Sequence, residues 1–297
     1  MTASASLAPP ATQTKHQSLW TDALRRLRRS SSGKFGATLI LLLLAISLLM
    51  PVIMPYDPRT DGDLASRLQP PSQSHPFGTD DLGRDVLRRV LHGSRVSLGI
   101  ALISVGIALS FGSTLGLVCG FLGGVTDMVA MRIVDIMLAF PATLLAIGIV
   151  AARGPGINNA MLAVGIVQIP AFARLARSMA ISIREKEYVT AARCIGASRF
   201  RLLSRHVFPN SLSPIIVQAT LSIASSILEA AALGFLGLGA QPPTPEWGAM
   251  LADGYKYLTI GAWWVLLFPG IFIMLAVLGY NLLGDGLRDA LDPSLRR

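Results

Sequence analysis

Between Phe35 and Met54 the chain runs for 20 residues without a charged side chain. At about 1.5 Å per residue, a helix of that length crosses the roughly 30 Å hydrocarbon core of a bilayer. In lipid such a segment can satisfy its backbone N–H and C=O groups only within itself, so it is read as a helix. Further apolar runs follow at 96–122, 133–152, 157–173, 212–238 and 261–283. With 52% hydrophobic and only 14% charged residues and a mean hydropathy of +0.55, the chain is too apolar for a soluble domain of 297 residues. The expected class is an all-α, multi-pass membrane protein with six transmembrane helices. The basic flank before the first run imitates a secretory signal. Its apolar core exceeds the roughly 7 to 15 residues of a signal and no A-x-A-like site follows, so it is read as an uncleaved anchor.

The polar segments divide the chain. Residues 1–34 form a tail whose first 18 residues are too polar to fold alone. Within it, 19–29 space Leu19, Trp20, Ala23, Leu24 and Leu27 at helical intervals opposite Arg25, Arg26, Arg28 and Arg29, giving an interfacial amphipathic helix or an unstructured basic flank. The first span is 35–54, a structured polar loop occupies 55–95, a five-helix core extends over 96–284, and 285–297 form a C-terminal tail. In the loop, Asp81 to Leu91 is read as a helix after a capped turn. Gly112, Gly116, Gly120 and Gly124 recur every fourth residue, a stripe that lets another helix come close. Pro141 is expected to kink the third span and Pro170 to break the fourth. Of the 26 Lys and Arg residues, 18 lie in the tails, the second connection and the stretch after the fourth run, with 8 on the other face. The positive-inside bias therefore makes both termini and that stretch cytoplasmic.

Several chemistries are excluded. No G-x-x-x-x-G-K-[ST] loop occurs, so the chain has no phosphate cradle for ATP. His16, His75, His92 and His206 are scattered, Asp80, Asp81 and Asp85 lack calcium-loop alternation, and Cys119 and Cys194 have no metal or redox spacing. No metal site, hydrolase site or cofactor is expected on this chain. The net charge of +9 sits beside apolar runs, with no basic stripe interleaved with aromatics, so nucleic acid is not a partner and the lipid bilayer is.

The most informative polar stretch is Glu187 to Asn210, E-Y-V-T-A-A-R-C-I-G-A-S-R-F-R-L-L-S-R-H-V-F-P-N. Glu187 to Cys194 has helical character with little bulk at Thr190, Ala191 and Ala192. Gly196 supplies the positive φ that ends a helix, Ser198 caps a second one, and Pro209 is expected to stop it. Two short helices at an angle make a rigid knob on which a partner can dock. A solvated basic loop near anionic headgroups is the plainer alternative.

With Thr190, Ala191, Ala192, Gly196 and Pro209 in place, this spacing resembles the EAA loop of ABC importer permeases, with Thr190 where Glu is expected and Phe208 where Leu is usual. H-P-F-G-T-D-D-L-G-R-D-V-L-R-R-V at 75–90 and L-G-F-L-G-L-G-A-Q-P-P-T-P-E-W-G at 233–248 look like signatures of the branch that carries dipeptides, oligopeptides and nickel. The resemblance covers most of the chain from Tyr56 onward. It implies the type I importer permease fold, a second homologous permease subunit, two ABC ATPase subunits holding ATP and Mg, and an extracytoplasmic substrate-binding protein, all in a bacterial inner membrane. In that frame Glu187, Thr190, Ala191, Ala192, Gly196, Ser198 and Pro209 form the ATPase-coupling loop. Asp135, Glu229, Gly112, Gly116 and Gly120 belong to the translocation path or to helix packing. Glu229 lies towards the outer half of its span and either lines the path or receives a bond from a neighbouring helix. Asp135 has Arg132, a cation of the Glu187 loop, or water as partner. A stand-alone secondary transporter or channel would instead need coupling carboxylates in matching halves, and a purely structural scaffold would need no knob.

Overall fold

The computed structural model describes residues 25–57 and 59–291. The expected tail 1–18, most of the amphipathic segment 19–29 and residues 292–297 lie outside them. Ten α-helices are present among the described residues, with no strand beyond one isolated bridge between Thr79 and Asp85. They are α1 (Ser31–Ile53), α2 (Val86–Leu122), α3 (Gly124–Leu138), α4 (Ala142–Arg153), α5 (Ile157–Arg184), α6 (Glu187–Cys194), α7 (Arg199–Leu202), α8 (Phe208–Phe235), α9 (Trp247–Tyr255) and α10 (Trp264–Leu291). Among the described residues, five helical stretches are long and apolar enough to cross a membrane, and α3 with α4 forms a sixth if the bent pair is one span.

α2 and α5 are the axis of the bundle, and the glycine stripe explains how closely they pack. A Cβ on Gly112 would lie 2.6 Å from the Ile169 carbonyl oxygen, one on Gly116 2.1 Å from that of Ala173, and one on Gly120 2.6 Å from that of Arg177. Backbone meets backbone at three successive turns, which only glycine permits. Gly124 does not join this seam: it starts α3, and nothing lies within 4 Å of its Cβ position.

The prolines behave differently from the sequence expectation. Pro141 does more than kink the third run: α3 and α4 meet at 94°. Proline pushes the residue before it out of the helical region and gives no N–H to the preceding turn. α3 has only Val134 buried, so little apolar packing opposes the bend. Pro170, expected to break the fourth run, lies buried inside α5, which continues to Arg184. Here the contact of Gly112 with the Ile169 backbone clamps the helix across the proline. Pro209, expected to stop the knob, sits in the first turn of α8, where the missing N–H is least costly. A π-helical turn at Leu203–Val207 leads into it, so one helical path of 37 residues runs from Arg199 to Phe235.

Two boundaries also move. α2 begins at Val86, with no helix over 81–85, because Asp85 is its N-cap and its Oδ1 accepts the Arg88 N–H at 3.0 Å. α10 runs to Leu291, so residues 285–291 of the expected tail are helical.

Candidate functional site

The knob is built from local hydrogen bonds. α6 ends in a Schellman motif: the Ala197 N–H donates to the Ala192 carbonyl at 3.1 Å and the Gly196 N–H to that of Arg193 at 3.0 Å. Gly196 has φ +86° and nothing within 4 Å of its Cβ position, so backbone conformation alone demands the glycine. Ser198 Oγ then accepts the Arg201 N–H at 3.3 Å and starts α7. Val189, Leu202 and Val207 are fully buried against Leu117 and Phe121 of α2, Ile183 of α5 and Ile215 of α8. Beside the knob Arg184, at the end of α5, ties that span to α2, its guanidinium donating to the carbonyls of Gly120 and Phe121 at 3.3 Å. The knob is therefore fastened to three spans at once.

Its outer face is different. Ile195 is 87% exposed and Phe200 79%, with Tyr188 also exposed. Glu187, Thr190, Ala191, Gly196 and Pro209 are exposed as well. Ala192 is not one of them: it is half-buried and packs on the knob's own core. Of the small pair, Ala191 alone faces outward.

The two other signature stretches meet at the opposite end of the bundle. In 75–90, the Asp80 carboxylate is fully buried. It accepts the Leu82 and Arg84 N–H groups at 2.9 Å and the Arg84 Nε–H at 2.7 Å, and pairs with Arg89. Phe77 stacks on Phe268 with ring centroids 3.8 Å apart, and the Trp264 indole N–H donates to the Thr79 carbonyl at 3.0 Å. In 233–248, Glu246 is 1% exposed and N-caps α9. Its carboxylate accepts the Gly248 and Ala249 N–H groups at 2.8 and 2.9 Å and the Ser97 hydroxyl of α2 at 3.0 Å. Burial pushes this carboxyl's pKa up, partly offset by those three donors. The Trp247 indole donates to the Val90 carbonyl at 3.0 Å. Asp80, Arg84, Arg89, Ser97 and Glu246 were not singled out as site residues from the sequence. Four of them lie inside the two signature stretches, but their meeting spans up to about 150 positions of chain, and no local pattern announces it.

Asp135 of α3 pairs with Arg174 of α5 at 2.7 Å, with neither Arg132 nor a cation of the 187–210 loop, because α3 lies along α5 and Arg174 projects across the gap. Neighbouring Asp127 holds Arg177 by two bonds of 2.6 Å. Glu229 of α8 is half-buried and accepts a long bond of 3.4 Å from the Gln168 amide of α5.

Residues 112–297 match the family described as the binding-protein-dependent transport system inner membrane component. The chain belongs to this family. Residues 18–71 match the N-terminal transmembrane domain of oligopeptide transport permease C. Among curated relatives, the dipeptide transport system permease protein DppC of Alkalihalophilus pseudofirmus is 48% identical over 100% of this chain and 97% of its own. The glutathione transport system permease protein GsiD of Pectobacterium atrosepticum is 45% identical over 93% and 92%. Inward-facing structures of the MetNI methionine ABC transporter share the fold, with a TM-score of 0.56 at 18% identity over 69% of this chain and 97% of theirs. This member of the binding-protein-dependent permeases is accordingly a multi-pass protein of the bacterial inner membrane with an ABC importer permease fold.

Proposed function

We propose that this permease forms, with a second homologous permease subunit, the translocation path of an ATP-binding cassette importer for small peptides. Two ATPase subunits, which hold ATP and Mg, dock on the 187–207 knob. A binding protein delivers substrate to the opposite end, where 55–95 and 236–263 converge. Both termini and the knob are then cytoplasmic, in line with the 18-to-8 division of basic residues. The peptide class rests on relatives whose names are dipeptide and glutathione permeases.

The observation that carries the reading is the contrast between the two faces of the knob. Its inner face is buried in α2, α5 and α8, while Ile195 and Phe200 stand exposed among polar neighbours. Apolar side chains so presented mark a contact surface. A push there reaches α5 directly and α8 through the unbroken helical path, so the two spans move with the knob between inward-open and outward-open states.

The test is to co-express the permease pair with its ATPases and replace Ile195 and Phe200 with Asp together. The variant should insert normally yet lose the ATPase on affinity purification, with uptake falling at least about tenfold, since two desolvated charges cost more than the roughly 1.4 kcal/mol of one decade. An undiminished yield of ATPase with the double variant would place the docking surface elsewhere.

A further inference from the structure

The carboxylate of Glu229 is half-buried and makes no ion pair among the described residues. A carboxylate within a span is costly against lipid, yet here Glu229 is half-buried, beside Leu228, which is 51% exposed. Its one partner within the described residues is the Gln168 amide at 3.4 Å. The Gln168 side chain can bond an ionised carboxylate only through its amide N–H, since its amide oxygen has no proton to give, so this contact fixes which way the Gln168 amide points. Gln168 is itself 7% exposed, and its Nε2 also donates to the buried Ser226 hydroxyl at 2.7 Å. The consequence is a carbonyl, Gln168 Oε1, that is buried with no donor. An orphaned buried acceptor is destabilising, and the arrangement that leaves it aims an amide N–H at one oxygen of Glu229. The other oxygen has no partner among the described residues.

We propose that Glu229, oriented by Gln168, is a cation-binding site on the translocation path that receives the free α-ammonium group of the passing peptide. Lipid is excluded by the cost of the charge, and a purely structural carboxylate would have both oxygens satisfied, as those of Asp80 and Glu246 are. A carboxylate with one fixed and one open oxygen suits an ammonium group, which brings its own charge and three donors and leaves when the path opens. Gln168 acts as a positioning residue.

This inference rests on the proposed peptide importer, and its test uses the complete assembly in proteoliposomes. Glu229→Gln keeps the shape and removes the charge; Glu229→Asp keeps the charge. Uptake of a dipeptide with a free amino terminus should fall about tenfold in Glu229→Gln and recover at least half in Glu229→Asp, with ATPase docking unchanged. With Cys119 and Cys194 replaced by Ser, Glu229→Cys should react with a water-soluble cationic thiol reagent. Uptake of the desamino analogue of the dipeptide should be the same in the wild type and in Glu229→Gln. Wild-type uptake in Glu229→Gln, a cysteine at 229 that no water-soluble reagent reaches, or an equal fall in uptake of the dipeptide and its desamino analogue in Glu229→Gln would each overturn the assignment. Failure of the wild-type assembly to carry any peptide would instead count against the importer reading itself.

Discussion

Gly116 shows how much a single missing methyl group decides. Its Cβ position lies 2.1 Å from the Ala173 carbonyl oxygen and 2.9 Å from the Ala176 Cβ, so any side chain must drive α2 and α5 apart. Overpacking a fitted core costs roughly 1 to 3 kcal/mol, and backbone cannot yield as a flexible side chain can. Gly116→Leu should therefore lower the Tm of the detergent-purified chain by several degrees. Gly99→Leu, where nothing lies within 4 Å, should leave it unchanged; equal Tm values for the two variants would remove the seam from this account. The stripe was legible in the sequence because a four-residue interval of glycine is a local pattern. The partners of the acids were not: Asp135 could reach several cations, and Arg174 was selected by the way α3 lies on α5.

Among elements, the knob is the one whose form is written most locally. Its Schellman turn and its Ser198 cap each involve residues at most five apart, so they were readable from spacing. Because Gly196 has φ +86° and open space around it, a substitution there acts through conformation alone. Forcing a β-branched residue into that region costs about 1 to 2 kcal/mol or more, while Asn tolerates it. Gly196→Val should thus reduce ATPase retention and uptake together, and Gly196→Asn should keep most of both, as measured by co-purification and transport. Identical behaviour of Val and Asn would mean that the turn angle is irrelevant to coupling. Ala192 is a poorer probe of docking than Ala191, since it packs against the chain's own core.

For the molecule as a whole, the two ends of the bundle have different construction. One carries buried charge networks around Asp80 and Glu246 that tie 55–95 to α2, α9 and α10; the other carries the knob. If the knob end is cytoplasmic, a membrane-impermeant thiol reagent applied to intact spheroplasts should label a cysteine introduced at Ser72, in the 55–95 loop. It should spare native Cys194, which is exposed on the knob. Cys119 is buried and should stay silent. Labelling of Cys194 with Ser72→Cys untouched would invert the orientation.

The sequence alone determined that this chain spans a membrane as helices and how the knob turns. Each of these follows from interactions within about one helical turn: lipid offers no hydrogen-bond partners, so an apolar run must satisfy its own backbone, and a glycine or serine acts on its immediate neighbours. The tertiary structure decided what each proline does. Pro141 ends a poorly packed helix at 94°, Pro170 is clamped inside α5, and Pro209 follows a π turn into α8. It also decided which distant groups meet, from Ser97 with Glu246 to Gln168 with Glu229. A proline's local penalty is similar at every site, so the packing available to oppose it settles the outcome, and packing between helices far apart in sequence exists only once the bundle has formed.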